Sequence, residues 1–342
     1  MVTFLDWGIV PARVLATSLA GAVGVVLAGA VTYSHAQQSA WQPERPVEII
    51  VPTTPGGAID GIARLIQRIL QNNRIIDVPV LVVNKPGGGQ ALAMTYLDQR
   101  AGDAHHLLNS TMSLMTNHIQ GRSKVNYTDY TPVAILFGEP MTLVVRPDSL
   151  LKTGRDIQEK LTKDPQSLSI AVGLARGGAG HLTVTLVTKA MGVDAKKLKT
   201  VVFQANADAM TALMGGHVDF SSMSLASAWN AAQQGKLRII AITSDRRLEG
   251  ALAEIPTWKE LGFDVVFTNI RFMLGAKGMS PAQTAYWDAA LERVVQSEEW
   301  KNAVQKNHWA PEYLPSKESP QRLAVIYKQL RGALVDAGLV KE

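Results

Sequence analysis

The 342-residue chain contains no cysteine. Disulfides, thiolate nucleophiles, cysteine-based zinc sites and lipid attachment at an N-terminal cysteine are therefore excluded. A chain of this length builds adequate cores without disulfide staples, so the absence does not argue against export. Aromatic residues make up only 6%, and the densest basic stretch is the short run Lys196-Lys197-Leu198-Lys199. A nucleic-acid footprint needs a basic stripe interleaved with aromatics, and none is present. Catalytic signatures are missing as well. No Gly-x-Gly-x-x-Gly follows a strand, and there is no Walker lysine, Gly-x-Ser-x-Gly elbow or His-Glu-x-x-His. His105 and His106 are adjacent, so on a strand they face opposite sides and cannot share a metal. No cofactor or metal is expected, and no enzyme class is indicated. After the first segment, no apolar run approaches membrane-spanning length.

What is present describes a globular protein, with 46% apolar and 18% charged residues and a formal charge of +5. The mild positive balance suits an anionic ligand through weak steering. At the N-terminus Arg13 precedes an apolar run from Val14 to Tyr33, then Ser34-His35-Ala36 and Gln37. A basic residue, an apolar stretch and a small-x-small exit form the layout of a secretory signal. Residues 1–36 are expected to be removed, with Ala30 as a second cleavage position and an uncleaved anchor as the alternative. The expected location is the periplasm.

From Trp41 onward, short β-branched runs alternate with amphipathic stretches, the pattern of βαβ units and a largely parallel sheet. Strands are expected at Val47–Val51, Val80–Val83, His106–Asn109, Val133–Phe137 and Leu143–Val145. Helices are expected at Ile59–Leu70 and Ala91–Gln99. A second set follows: strands Leu168–Val172, Thr200–Phe203, Val218–Phe220 and Leu237–Ile242, with helices Ile157–Leu161, Leu182–Met191, Ala207–Met214 and Leu225–Gln233. Strands Val265–Thr268 and Met273–Leu274 and long helices Pro281–Gln296 and Pro320–Ala337 complete the chain. Pro and Gly punctuation around 139–147 and 243–256 marks two crossovers. The expected organisation is a discontinuous first lobe, 37–142 with 244–342, and a second lobe, 143–243, joined by a hinge.

Three strand-to-helix junctions are rich in glycine. Pro52-Thr53-Thr54-Pro55-Gly56-Gly57 leads into the helix carrying Asp60. Glycine lets backbone approach a ligand, and a helix start offers unpaired N–H groups that suit a carboxylate; a plain tight turn is the other reading. Asn84-Lys85-Pro86-Gly87-Gly88-Gly89-Gln90 is the second. The third, Gly173 to His181, contains Arg176, which is either a bidentate carboxylate clamp or a solvated loop cation. His181 at a helix start reads as a cap, a packing residue or a ligand contact. Asp60 in a first helical turn complements the helix dipole. Asn109-Ser110-Thr111-Met112-Ser113 follows a strand end, where open α/β sheets bind ligands.

At these junctions the sequence resembles the Bug family, the TctC-like solute receptors of tripartite tricarboxylate transporters. The resemblance rests on Val51-Pro52 through Pro55-Gly56-Gly57 and Asp60, Val83-Asn84-Lys85-Pro86-Gly87-Gly88-Gly89, and Tyr130-Thr131-Pro132-Val133-Ala134. Leu213-Met214-Gly215-Gly216-His217-Val218-Asp219, Gly235-Lys236-Leu237-Arg238 and Ile255-Pro256-Thr257 with Glu260-Leu261-Gly262 extend it. It implies an α/β, two-lobed periplasmic binding protein, type II-like, with hinge-linked lobes and central mixed sheets. It implies capture of a small carboxylate for membrane transporter subunits; a sensor kinase as the membrane partner uses the same fold. No nucleic acid is implied, and a monomer is expected. Carried over by position, ligand contacts fall on Thr53, Thr54, Pro55, Gly56, Gly57, Asp60, Ser110 and Thr111. The second lobe adds Gly177, Gly178, His181, Gln204, Asn206 and Asp208, beside Arg176 as the candidate cation of the third junction. Many members show Asn-Trp-Arg-Gly where this chain has Asn269-Ile270-Arg271-Phe272, which retains Arg271 as a candidate cation.

Overall fold

Two mixed sheets share one long strand. The computed structural model describes residues 41–173, 175–203 and 206–341; residues 1–36, expected to form a signal, and Gln204 lie outside the described residues. Sheet A contains β1 (Val47–Val51), β2 (Val80–Asn84), β3 (His106–Thr111), β4 (Thr131–Val145), β9 (Thr268–Gly275) and β10 (Ala310–Pro315). Sheet B contains the far end of β4 with β5 (Ser169–Gly173), β6 (Lys199–Phe203), β7 (Phe220–Ser224) and β8 (Arg238–Ile242). The order runs β2-β1-β3-β9-β4-β7-β5-β6, with β10 and β8 also on β4. The βαβ units are parallel and β9 is antiparallel to both its neighbours.

The helices cover the sheets where their apolar faces require it. α1 (Ala58–Asn72) buries Ile62, Ile66 and Ile69 at i, i+4 and i+7, and packs on one face of sheet A with α8 (Pro281–Gln296) and α9 (Glu298–Asn307). The other face receives α2 (Ala91–Asp98), α3 (Ser113–Ile119) and α10 (Ser319–Asp336). Sheet B is flanked by α4 (Gly154–Lys163) and α5 (Ala179–Ala190) on one face, with α6 (Asn206–Met214) and α7 (Leu225–Gln233) on the other.

Several elements differ from the expectation. Val133–Phe137 and Leu143–Val145 are one 15-residue strand, β4. Pro140 was read as a break, yet it sits where the ladder passes from β9 to β7, a point that needs no N–H donor. Val265–Thr268 and Met273–Leu274 likewise give way to one strand, β9, whose polar residues Asn269 and Arg271 interrupt the apolar pattern. The strand expected at Val218–Phe220 lies at Phe220–Ser224, where Ser221 and Ser222 are buried between β4 and β5. α3, α9 and β10 were not foreseen.

The two crossings are tied by one residue. Thr243, fully buried, accepts a hydrogen bond from the Met141 N–H (2.9 Å) and donates to the Phe267 carbonyl. Between those crossings the chain packs Leu252, Ile255, Trp258, Phe263 and Val265 onto sheet B, a stretch the sequence reading assigned to the first lobe. Sheet A packing resumes at Phe267.

Candidate functional site

The registers bring the carboxyl ends of the parallel strands of both sheets to the same level. Thr111 pairs with Arg271 and Glu139 with Asn269, near the start of β9. Ser224 pairs with Met141, one residue past the crossing at Pro140. β1 runs parallel to β3, and β5 and β6 run parallel with β7. Every glycine-rich junction singled out from the sequence thus follows a strand that ends on the side of the crossing, the end at which such sheets hold ligands.

The first loop owes its shape to Asp60. Its carboxylate, 2% exposed, accepts from the Gly56 N–H (2.9 Å), Arg64 Nε (2.8 Å) and Asn84 Nδ2 (3.0 Å). Burial alone would raise its pKa; the bonds from Arg64, Gly56 and Asn84 hold it down at about 2. Asn84 also donates to the Thr53 carbonyl (2.9 Å), so the start of the second glycine-rich junction braces the first. Gly56 takes φ +84°, a conformation side chains rarely adopt, while Gly57 is extended at φ −77° and serves as the N-cap of α1 without any side-chain cap. Thr54, Pro55, Gly56 and Gly57 are exposed and Thr53 is half-buried. Asp60, expected among the ligand contacts, spends both oxygens on protein donors and positions the loop.

Ser110 and Thr111 are buried in β3. Ser110 Oγ donates to Gln90 Oε1 (3.0 Å), and Thr111 Oγ1 accepts from Gln90 Nε2 (3.2 Å). Their hydroxyls lock Gln90, which ends the second glycine-rich junction at φ +86°.

In sheet B the third junction is partly committed to packing. Gly177 has φ +85°, and a Cβ there would lie 2.6 Å from Gln120 Nε2 and 3.0 Å from Leu334 Cδ2, so the turn is pressed against α3 and α10. The Gly177 N–H donates to His181 Nδ1 (3.3 Å). His181 is buried, and burial, with the Arg176 charge nearby, lowers its pKa to about 4, leaving a neutral ring. Gly178 is the uncapped N-cap of α5, and Arg176 is exposed. Asn206 seats against Gly173, where a Cβ would lie 2.1 Å from its Oδ1, and Asp208 is exposed in the first turn of α6.

A cleft of about 660 Å³ opens at the crossing. On the sheet A side it is bounded by Ala58, Gly61, Ile62 and Leu65 of α1, by α9 and by Trp309, which stacks on Phe137 at 3.9 Å. Ser224, Ala226, Ser227 and Asn230 of the β7–α7 junction form the opposite wall, and Glu139 contributes to the lining from the shared strand. Sequence reasoning missed this junction, because Ser224-Leu225-Ala226-Ser227 carries no glycine. It also missed Glu139. The cleft lining contains none of the expected ligand contacts: not Thr53, Thr54, Pro55, Gly56, Gly57 or Asp60 of the first loop, not Ser110 or Thr111, and not Arg176, Gly177, Gly178, His181, Asn206, Asp208 or Arg271; the first loop reaches it only through Ala58, the residue after Gly57. Arg271, expected to face a ligand carboxylate, is 7% exposed and ion-paired with Glu139, which also accepts from Asn269 Nδ2 (3.1 Å).

The family model described as "Tripartite tricarboxylate transporter family receptor" matches residues 62–336. The chain belongs to this receptor family. Protein BugT of Bordetella pertussis is 26% identical over 336 residues, covering 95% of this chain and 97% of BugT. Among solved structures, a TctC solute binding protein from Polaromonas is 24% identical with a TM-score of 0.73, covering 85% of this chain and 98% of that one. MatC from Rhodopseudomonas palustris, solved with bound malate, is 22% identical with a TM-score of 0.69, covering 87% and 100%. At these identities the structures establish the fold, that of two-lobed periplasmic binding proteins. The family and fold are those of solute-binding receptors, and among the described residues no helix is long and apolar enough to cross a membrane. The family match begins inside α1, so the receptor's Pro52–Asp60 loop lies before the matched stretch.

Proposed function

We propose that this receptor captures a small carboxylate in the cleft at Glu139–Met141 and presents it to membrane transporter subunits, without chemical turnover. The observation that carries this reading is the meeting of uncapped helix starts. α1 begins at Gly57 and α7 at Ser224 without a side-chain cap, as α2, α3, α5 and α10 do at starts outside this cleft, whereas α4, α8 and α9 are capped by Thr153, Ser280 and Ser297. α1 and α7 send their first turns into one cleft, and free N–H groups with two positive dipole ends favour an anion there. Thr53 Oγ1, Asn109 Oδ1 and Ser222 Oγ, each within three residues of the crossing end of its strand, are buried without partners among the described residues. Unpaired buried polar atoms are few in a native fold; Arg271 Nε is another near the crossing, and His106 Nδ1 and Trp258 Nε1 lie away from it. MatC, of the same fold, was solved with malate, a carboxylate. The lobes of the reading are sheet A and sheet B with their helices, joined by β4 and by the Thr243–Phe267 tie.

Substitution of Gly57 tests the site without attacking the fold. Its extended φ accepts any residue, and a Cβ would meet only the Thr54 carbonyl at 3.7 Å and Thr53 Oγ1 at 3.9 Å. Gly57→Val places two methyls beside the free N–H groups. Hydrogen bonds to a charged acceptor contribute about 1.5–3 kcal/mol each, so loss of one weakens carboxylate binding by about tenfold or more. Calorimetric titration against mono-, di- and tricarboxylates, paired with a circular-dichroism melt, is the measurement. Normal affinity in a folded variant would show the loop to be an ordinary turn.

The periplasmic location follows from family and from residues 1–36 read as a signal. Mass spectrometry of exported protein is expected to show an N-terminus at Gln37 or, with the earlier site, at Val31. Intact Met1-containing protein recovered only from membranes would establish the anchor instead.

A further inference from the structure

Glu139 is a buried acid at the wall of a cleft whose other charged lining residues are Arg68 and Glu299, paired with each other, and Lys306. A carboxylate so placed needs partners, and β9 supplies them: Arg271 Nη2 and Asn269 Nδ2 both donate to Oε2. Simple neutralisation by arginine favours a two-pronged bond that uses both oxygens. Here both donors converge on one. Oε1 accepts from no donor among the described residues, and it is not among the unpartnered atoms sealed from solvent. Glu139 lines the cleft with the first turns of α1 and α7, so the cleft offers two opposed preferences: helix starts that attract an anion and an anionic oxygen that attracts a donor.

From this we infer that Glu139 selects the ligand, admitting a carboxylate that carries an ammonium or hydroxyl donor elsewhere and disfavouring one with a second carboxylate at that place. The inference rests on the carboxylate reading above and deepens it. One end of the ligand lies on the helix starts, and its donor reaches Oε1. A plain alkyl acid leaves Oε1 desolvated and unmatched, and a diacid sets two anionic groups against each other.

The test titrates butyrate, 3-hydroxybutyrate, 3-aminobutyrate and succinate into the wild-type protein and Glu139→Gln by calorimetry. The hydroxy and amino acids are expected to bind wild type at least tenfold tighter than butyrate or succinate, and their mutual order shows which donor is preferred. In Glu139→Gln the amide oxygen remains on Arg271 and Asn269 and Nε2 turns to the cleft, so the preference for donors is lost and succinate gains. If Glu139→Gln fails to melt cooperatively, Glu139→Asp, which withdraws the carboxylate by one methylene, carries the same comparison and should shrink the preference. Butyrate and succinate binding wild type as well as the substituted acids, or an unchanged preference in the folded variant, overturns the inference while leaving the carboxylate reading intact. Absence of binding by every acid from two to eight carbons overturns both.

Discussion

Arg271→Ala is expected to lower folding stability by about 3–5 kcal/mol, because it leaves Glu139 buried with its principal counter-charge removed. The two side chains are 8% and 10% exposed, so water cannot replace the guanidinium without opening the crossing. Asn269 remains as a donor to Oε2, which keeps the loss below that of a wholly orphaned charge. The pair joins β4 to β9, and the strand it braces continues into sheet B. Urea unfolding of both proteins gives the difference. The double change Glu139→Leu with Arg271→Met removes both charges together and should recover most of the loss, since apolar replacement of a buried pair is often near neutral. A single variant less than about 1 kcal/mol below wild type would mean that the pair is solvated at the crossing.

Asp60→Ala carries the second large effect, about 2–4 kcal/mol, because three donors lose one acceptor. Arg64 is half exposed and rehydrates, whereas the Gly56 N–H and Asn84 Nδ2 point at the buried place of the lost carboxylate, where water reaches them less readily. Loss of the Gly56 bond also releases the left-handed turn that presents Gly57, so carboxylate affinity should fall with stability. The same contacts predict an acid limb. Asp60 titrates at about 2 in the folded protein against an ordinary 3.8, and a depressed carboxylate contributes stability that is complete above about pH 4 and lost as pH falls through about 2. That shift corresponds to about 2 kcal/mol. Asp103, where burial is outweighed by bonds from His105 and Arg45, is also held at about 2 and adds a similar share. Urea midpoints at pH 5 and pH 2 should therefore differ by clearly less in Asp60→Asn than in wild type. An identical acid loss in the two proteins would show that Asp60 is not ionised more readily in the fold than in the unfolded chain.

Local sequence carried much of this molecule. The alternation of β-branched runs with helices such as Ala58–Asn72 is written in side-chain period, and Pro281–Gln296 starts and stops where a serine cap with proline and a final apolar turn place it. The junctions at Gly56-Gly57 and Gly177-Gly178 were legible because a positive φ beside a helix start calls for glycine, a demand that one residue and its neighbours meet. Composition removed thiol chemistry, and residue order showed none of the common catalytic motifs.

Tertiary structure decided what depends on distant partners. Arg271 was visible as a cation, but its partner lies 132 positions away across a strand pair, and only that register shows its charge already met. Ser110 and Thr111 looked like free donors until Gln90, twenty residues earlier, folded back onto them. The β7–α7 wall was hidden because Ser224-Leu225-Ala226-Ser227 carries no glycine, and because Ser221 and Ser222 of the strand before it are buried by β4 and β5 and not by any hydrophobicity of their own. β4 reads as two strands because Pro140 breaks the pattern, and becomes one because the missing N–H falls where the partner changes. Periodicity records which face of a segment is apolar; which polar groups meet there is fixed by pairing between segments, and that pairing makes the cleft.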